Sequence, residues 1–277
     1  MDPVSLVSAA IIGVIEGITE FLPISSTAHI RLAELATGFQ DRGETFAVVI
    51  QLGAILAVVA YFWTRLWRLT VGCAQRDPAS LRFLGGLVLA AIPPGILGLL
   101  LNSWLEKHVF GAYELAIIAA TMLLGGLAIF AIERWRPAPR HADVAALPPR
   151  TCLLIGFMQV LAMIPSVSRS GASIMGAMCV GVERKATTEF SFFLAIPIML
   201  GASVLKLAKH HDQITGDFAN AIAVGFVVSF VVALGVIHWL LRYVAGHTFR
   251  PFAWYRLAAG VVIAILLACG VMPMAVE

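Results

Sequence analysis

Residues 12–38 read IGVIEGITEFLPISSTAHIRLAELATG, and residues 155–181 read IGFMQVLAMIPSVSRSGASIMGAMCVG. Each is an apolar run led by Gly13 or Gly156 that carries Glu16 or Gln159, reaches Pro23 or Pro165, and passes through a Ser-rich turn. Small and apolar residues then lead to Gly38 or Gly181. In a membrane chain, such a repeat predicts two half-domains whose matching breaks meet at one site. The copies differ in charge. Glu16, Glu20 and His29 belong to the first, Arg169 to the second. That asymmetry points to one composite site rather than two.

Composition sets the environment. The 277 residues are 60% apolar and 13% charged, with a mean hydropathy of +0.92, which excludes an ordinary soluble domain. Runs free of Asp, Glu, Lys and Arg occur at Thr45–Thr64, Phe83–Leu105, Leu115–Ile132, Phe190–Leu205, Phe218–Leu241 and Leu257–Val276. Most reach the roughly 18–20 residues that cross about 30 Å of hydrocarbon. The shortest, Phe190–Leu205, gains length if Lys206 snorkels. Every Trp and Tyr lies at or near the end of a run, as in an interfacial aromatic belt. The chain reads as an all-α polytopic membrane protein.

The arrangement expected is a single membrane domain over 1–277. Residues 1–137 and 151–277 form two inverted-topology repeats, each a re-entrant helix-break-helix element (4–38 or 152–182) followed by three spans. On that plan one set of loops holds thirteen cations, Arg65, Arg68, Arg76, Arg82, Arg134, Arg136, Arg140, Arg150, Arg184, Lys185, Arg242, Arg250 and Arg256. The other set holds five, Arg31, Arg42, Lys107, Lys206 and Lys209. The positive-inside rule then puts the first set in the cytoplasm and both termini outside. MDPVSL lacks the basic start of a cleavable signal. The four Cys, with no ligand spacing, read as small apolar fillers. Glu133–Arg150, with four Pro, reads as the linker between repeats, and there is no nucleic-acid signature.

Residues 4–22 and 152–164 are too short to cross before meeting proline, so each break is expected at membrane depth. Irregular backbone survives there only when covered by protein or lining a polar cavity. Second half-helices starting near Ser25–Thr27 and Ser168–Ser170 would present free amides and a positive dipole end, which suits phosphate. Ser25, Thr27, Ser168, Arg169, Ser170 and Gly171 are therefore the candidate substrate-binding residues. The bland alternative is a pair of kinked spans whose Ser and Thr satisfy local backbone.

Glu16 and Glu20 share one helical face, and in a bilayer such a like-charge pair must be neutralised. A shared proton, Arg169, or a divalent cation (Mg²⁺ or Ca²⁺) could do so. The cation is favoured, because hard ions take carboxylate and phosphate oxygens together. The opposing reading lays the helix at the interface with both carboxylates in water. Ser26 and His29, three apart, are neighbours on a helix, suited to nucleophile and proton-transfer partner. Arg169 either forks onto phosphate or balances a glutamate. His210-His211-Asp212 reads as a solvated outer loop, His238 as interfacial, and Gln51 and Asn102 as interhelical hydrogen bonders.

GVIEGITEFLPISSTAH at 13–29, VIQLGAILAV at 49–58, IPSVSRSG at 164–171 and EFSFFLAIPIMLGAS at 189–203 together resemble the bacterial undecaprenyl-diphosphate phosphatase family, the bacitracin-resistance proteins. The resemblance covers nearly the whole chain. The family's Glu-x-x-x-Glu falls on Glu16 and Glu20, its Pro-x-Ser-Ser-Thr-x-His on Pro23 to His29, and its Ser-Arg-Ser-Gly on Ser168 to Gly171. Ala28 stands where the family usually has Gly, and Ser166 where Gly is common. The resemblance implies hydrolysis of undecaprenyl diphosphate in the inner membrane, divalent-metal dependence and a site opening outward. The rival reading is a polyprenyl-phosphate flippase or transporter. The expected partners are substrate and membrane lipid. The sequence is compatible with a homodimer and leaves the oligomeric state open.

Overall fold

The structure, a computed structural model, describes residues 6–41, 45–108, 113–210, 214 and 216–272; side chains 102–103, 106–108 and 209–210 are outside that description. Arg42, the side chains of Asn102, Lys107, Lys209 and His210, and His211-Asp212 therefore lie outside the described residues. Eleven α-helices are described: α1 Leu6–Thr19, α2 Ser26–Thr37, α3 Thr45–Tyr61, α4 Trp63–Ala74, α5 Pro78–His108, α6 Glu114–Trp135, α7 Pro149–Val160, α8 Arg169–Cys179, α9 Arg184–His210, α10 Gly216–Gly246 and α11 Arg250–Ala268. The described residues form no strand beyond an isolated bridge between His141 and Val182. Five helices are long and apolar enough to cross a bilayer, six if the bent pair α3–α4 counts as one span. This is a polytopic all-helical membrane protein.

Two expected spans are redrawn. Thr45–Thr64 is not one straight helix, because the chain turns by 74° between α3 and α4. The cause lies in α4, where Trp63 and Trp67 are exposed beside Arg65 and Arg68, the pattern of a helix lying in the interface. Arg65 there pairs with Glu189 at 2.6 Å and lies over the rings of Phe83 and Phe193. The last helix starts at Arg250, with Pro251 in its first turn, not near Leu257. That earlier start carries Arg256 nearly two turns into the helix. It is 1% exposed, so it is not the loop cation expected from the charge count.

Lipid is as apolar as leucine, so close packing rather than water exclusion holds these helices together. α1 lies on α10 and α7 on α5, each short helix against a long helix from the other half of the chain. At the first contact a Cβ on Gly13 would stand 2.6 Å from the Gly225 carbonyl, and one on Gly17 2.8 Å from that of Ser229. At the second, a Cβ on Gly156 would strike the Ala90 carbonyl. The connection after α6 is tied down rather than loose. Arg140 N–H donates to the Gly181 carbonyl at 2.7 Å, Val144 and Leu147 are buried, and Arg184 forks onto Glu133. A core of Phe21, Leu22, Ile24, Ile174, Met175, Phe192 and Ile237 packs the first break against α8, α9 and α10.

Candidate active site

Both half-helices begin the same way. Ser25 and Ser168 have φ of 75° and 77°, and each side-chain oxygen caps its helix, accepting from Ala28 N–H at 3.3 Å and Gly171 N–H at 3.1 Å. A non-glycine residue in that region is strained and persists only where its surroundings over-determine it. Here the breaks brace one another. Ser170 Oγ donates to the Leu22 carbonyl at 2.9 Å, while a Cβ on Gly171 would crowd the capping Ser168 of its own break at 3.2 Å. Thr121 Oγ1 on α6 donates to the Pro165 carbonyl at 3.0 Å.

Between the two N-termini lies a cavity of about 200 Å³, walled by Glu20, Ser25, Ser26, Thr27, Ser168 and Arg169 together with Gln51, Ser166 and Met199. The Glu20 carboxylate is its hub. Ser26 Oγ donates to Glu20 Oε2 at 2.5 Å, and Arg169 Nη2 donates to Glu20 Oε1 at 3.0 Å. Arg169 also donates from Nη1 to the Ser191 carbonyl at 3.0 Å, which aims its fork at the cavity. Residues from opposite halves of the chain thus meet on one carboxylate.

Four expected residues stand behind this wall. Glu16 is fully buried, and neither of its oxygens has a hydrogen-bond partner. Ser170 ties the second break to the first and Gly171 gives its N–H to the Ser168 cap; neither lines the cavity. His29 is not brought onto Ser26. Its Nδ1 is 2.5 Å from the Ser25 carbonyl and its Nε2 is 2.6 Å from the Tyr255 hydroxyl, with the two rings stacked. Gln51, expected as an interhelical hydrogen bonder, faces the cavity and also a neighbouring one of about 210 Å³ that Ser26, Thr27, Arg31 and Glu34 line.

A divalent cation would find hard oxygen donors here. Glu20 is already engaged by Ser26 and Arg169, and the buried Glu16 carboxylate has no hydrogen-bond partner among the described residues, which leaves its oxygens open to a cation. Among the described residues no three His, Cys, Asp or Glu side chains cluster. Glu16 and Glu20 would therefore supply two carboxylates, leaving other positions to phosphate oxygens and water.

Residues 9–262 match the family model of the bacitracin resistance protein BacA. The chain belongs to that family. It is 46% identical to the undecaprenyl-diphosphatase of Novosphingobium aromaticivorans over 263 residues, covering 93% of this chain and 96% of the relative. It is 46% identical to that of Rhizorhabdus wittichii (92% and 95% covered) and 43% identical to one from a Caulobacter species (92% and 94%). The family thus joins the geometry of the two breaks to relatives named for diphosphate hydrolysis.

Proposed function

We propose that this protein is an undecaprenyl-diphosphatase of the bacterial inner membrane. It converts undecaprenyl diphosphate to undecaprenyl phosphate and inorganic phosphate, which recycles the lipid carrier for cell-wall synthesis. The observation that carries this reading is the Ser26–Glu20–Arg169 chain on the wall of a cavity between two helix N-termini. A flippase needs charge recognition, but it has no use for a hydroxyl held on a buried carboxylate, so that reading is not favoured.

The diphosphate enters the cavity and meets the free amides at the starts of α2 and α8. Arg169 turns part of its fork from Glu20 to the phosphate oxygens. Ser26 Oγ, or a water in its place, attacks the terminal phosphorus while Glu20 Oε2 takes its proton. The new O–P bond forms as the anhydride O–P bond breaks, and undecaprenyl phosphate leaves with the bonding pair. Glu20 passes that proton to the departing phosphate oxygen. Where Ser26 is the nucleophile, water then attacks its phosphorus, Glu20 takes the water proton, and the Ser26 oxygen leaves with the bonding pair and recovers that proton. A divalent cation, when bound by Glu16 and Glu20, neutralises nonbridging oxygens. His29 takes a positioning role, holding the Ser25 carbonyl with Tyr255 behind it.

Two inverted repeats account for this geometry. Gly13 and Gly156, Ser25 and Ser168, and Gly38 and Gly181 are equally spaced pairs. Both serines and both final glycines have positive φ. On this reading both termini lie outside, and the site opens toward the outer face. The test of the function is phosphate release from a long-chain polyprenyl diphosphate by purified protein, with and without chelator. Hydrolysis that stops in chelator and returns with Mg²⁺ or Ca²⁺ is expected. No release under any condition would defeat the phosphatase reading. Full release in chelator would defeat the metal alone.

A further inference from the structure

Arg256 has no carboxylate partner among the described residues, yet every one of its side-chain nitrogens is occupied. Nη1 donates to the Pro23 carbonyl at 3.3 Å and to the Val167 carbonyl at 3.2 Å. Nη2 donates to the Ser166 carbonyl at 3.0 Å and the Thr121 carbonyl at 2.7 Å, and Nε lies 3.5 Å from the Met122 carbonyl. One nitrogen thus spans the two breaks. The carbonyls it holds lie just upstream of Ser25 on one side and Ser168 on the other.

A buried guanidinium satisfied wholly by backbone carbonyls does not earn its place as an ion pair. Its five donors in a fixed plane set the orientation of the peptide units they grip. The gripped carbonyls flank three non-glycine residues at positive φ: Val167 leads into Ser168, the Ser166 carbonyl is held itself, and Pro23 stands two residues before Ser25. Such conformations last only where neighbours enforce them. With Thr121 on the Pro165 carbonyl, three successive carbonyls of the second break, 165 to 167, have donors from α6 and α11. The slot is built for the plane: a Cβ on Gly125 would overlap the guanidinium itself.

We infer that Arg256 is a positioning residue for phosphoryl transfer, fastening the two breaks so that Ser26 and Arg169 converge on Glu20. The inference rests on the composite site described above. It differs from a plain packing role in what its loss changes. Displacing a reacting group by about 1 Å can cost on the order of a hundredfold in rate while leaving the fold intact.

The test compares Arg256→Lys, Arg256→Gln and Gly125→Ala, purified in detergent, with Ser26→Ala and Glu20→Gln as site controls. For each, kcat and KM on polyprenyl diphosphate and the thermal midpoint are measured. Arg256→Gln is expected to lose about thirtyfold or more in kcat with KM changed by no more than about threefold. Arg256→Lys, which keeps the charge and some donors, should recover part of that loss. Gly125→Ala, which keeps the arginine but fills its slot, should slow turnover by about fivefold or more. Wild-type kcat in Arg256→Gln, whatever its thermal midpoint, would overturn the inference, as would a change in KM alone. Should Arg256→Gln not fold, wild-type kcat in Gly125→Ala would overturn it. Ser26→Ala and Glu20→Gln turning over at the wild-type rate would instead defeat the composite site beneath it.

Discussion

The break at 20–29 and the break at 163–172 share an entry into the half-helix and divide a chemistry, though Ser166 at φ 65° stands where the first has Pro23. Both enter their half-helix through a serine at φ near 76°, and both use that serine as a cap. Only the first carries carboxylates: Glu16 and Glu20 face Gln159 and Met163 in the equivalent places. Only the second carries a cation, Arg169 where the first has Ser26. Two similar breaks thus bring two helix N-termini to one cavity, and in the proposed mechanism the residues that differ between them supply base, nucleophile and clamp. Glu20 is gripped from the first break by Ser26 and from the second by Arg169.

The comparison is broken most forcefully at the carboxylate. Glu20→Gln keeps the shape but cannot accept the Ser26 proton, so kcat/KM should fall by about a thousandfold or more. A loss below tenfold would move the base elsewhere. The clamp comes next. Arg169→Lys retains charge but not the planar fork, and two charge-assisted bonds at about 1.5–3 kcal/mol each imply roughly a hundredfold loss in kcat/KM. Near-normal turnover with normal membrane expression would leave Arg169 only a counter-charge for Glu20.

Smaller effects sharpen the picture. Tyr255→Phe removes one hydrogen bond from His29, worth about 1 kcal/mol, so a loss of roughly fivefold in kcat/KM is expected. A loss of a thousandfold would return proton transfer to His29. The mildest changes are Ser25→Gly and Ser168→Gly. Each gives up a cap but relieves a strained φ, so stability should move by less than about 1 kcal/mol in either break. Alanine at the same positions loses the cap and keeps the strain, so it should lower the thermal midpoint further. Unequal responses of the two serines would show that the breaks are not equivalent supports.

The breaks were legible because their signals are local. Pro23, Pro165, the Ser-rich turns and the capping serines all act within a few residues of themselves, and Glu20, Ser26 and Arg169 stood out as polar groups in apolar sequence. What escaped depends on tertiary direction. Arg256 directly follows Trp254 and Tyr255 and precedes a charge-free run, and composition alone places it at the end of a loop. The clue was the Gly125-Gly126 pair on α6, which opens the slot for its guanidinium. His29 is close to Ser26 along the helix, but Tyr255, distant in sequence, decides which way its ring faces. Charge-free length alone hides the bend after Tyr61, which is marked only by the amphipathic Trp-Arg pattern that follows.

The claim that two half-sites form one reacting centre is tested most directly by a double-mutant cycle on kcat/KM across Glu20→Gln and Arg169→Lys. Groups that act as a unit are strongly non-additive. The double variant should therefore be about as slow as Glu20→Gln alone, since a phosphate held by Arg169 gains nothing when no base beside it can take the nucleophile's proton. Losses that multiply in full would mean that the two residues act independently, and the composite site would fall.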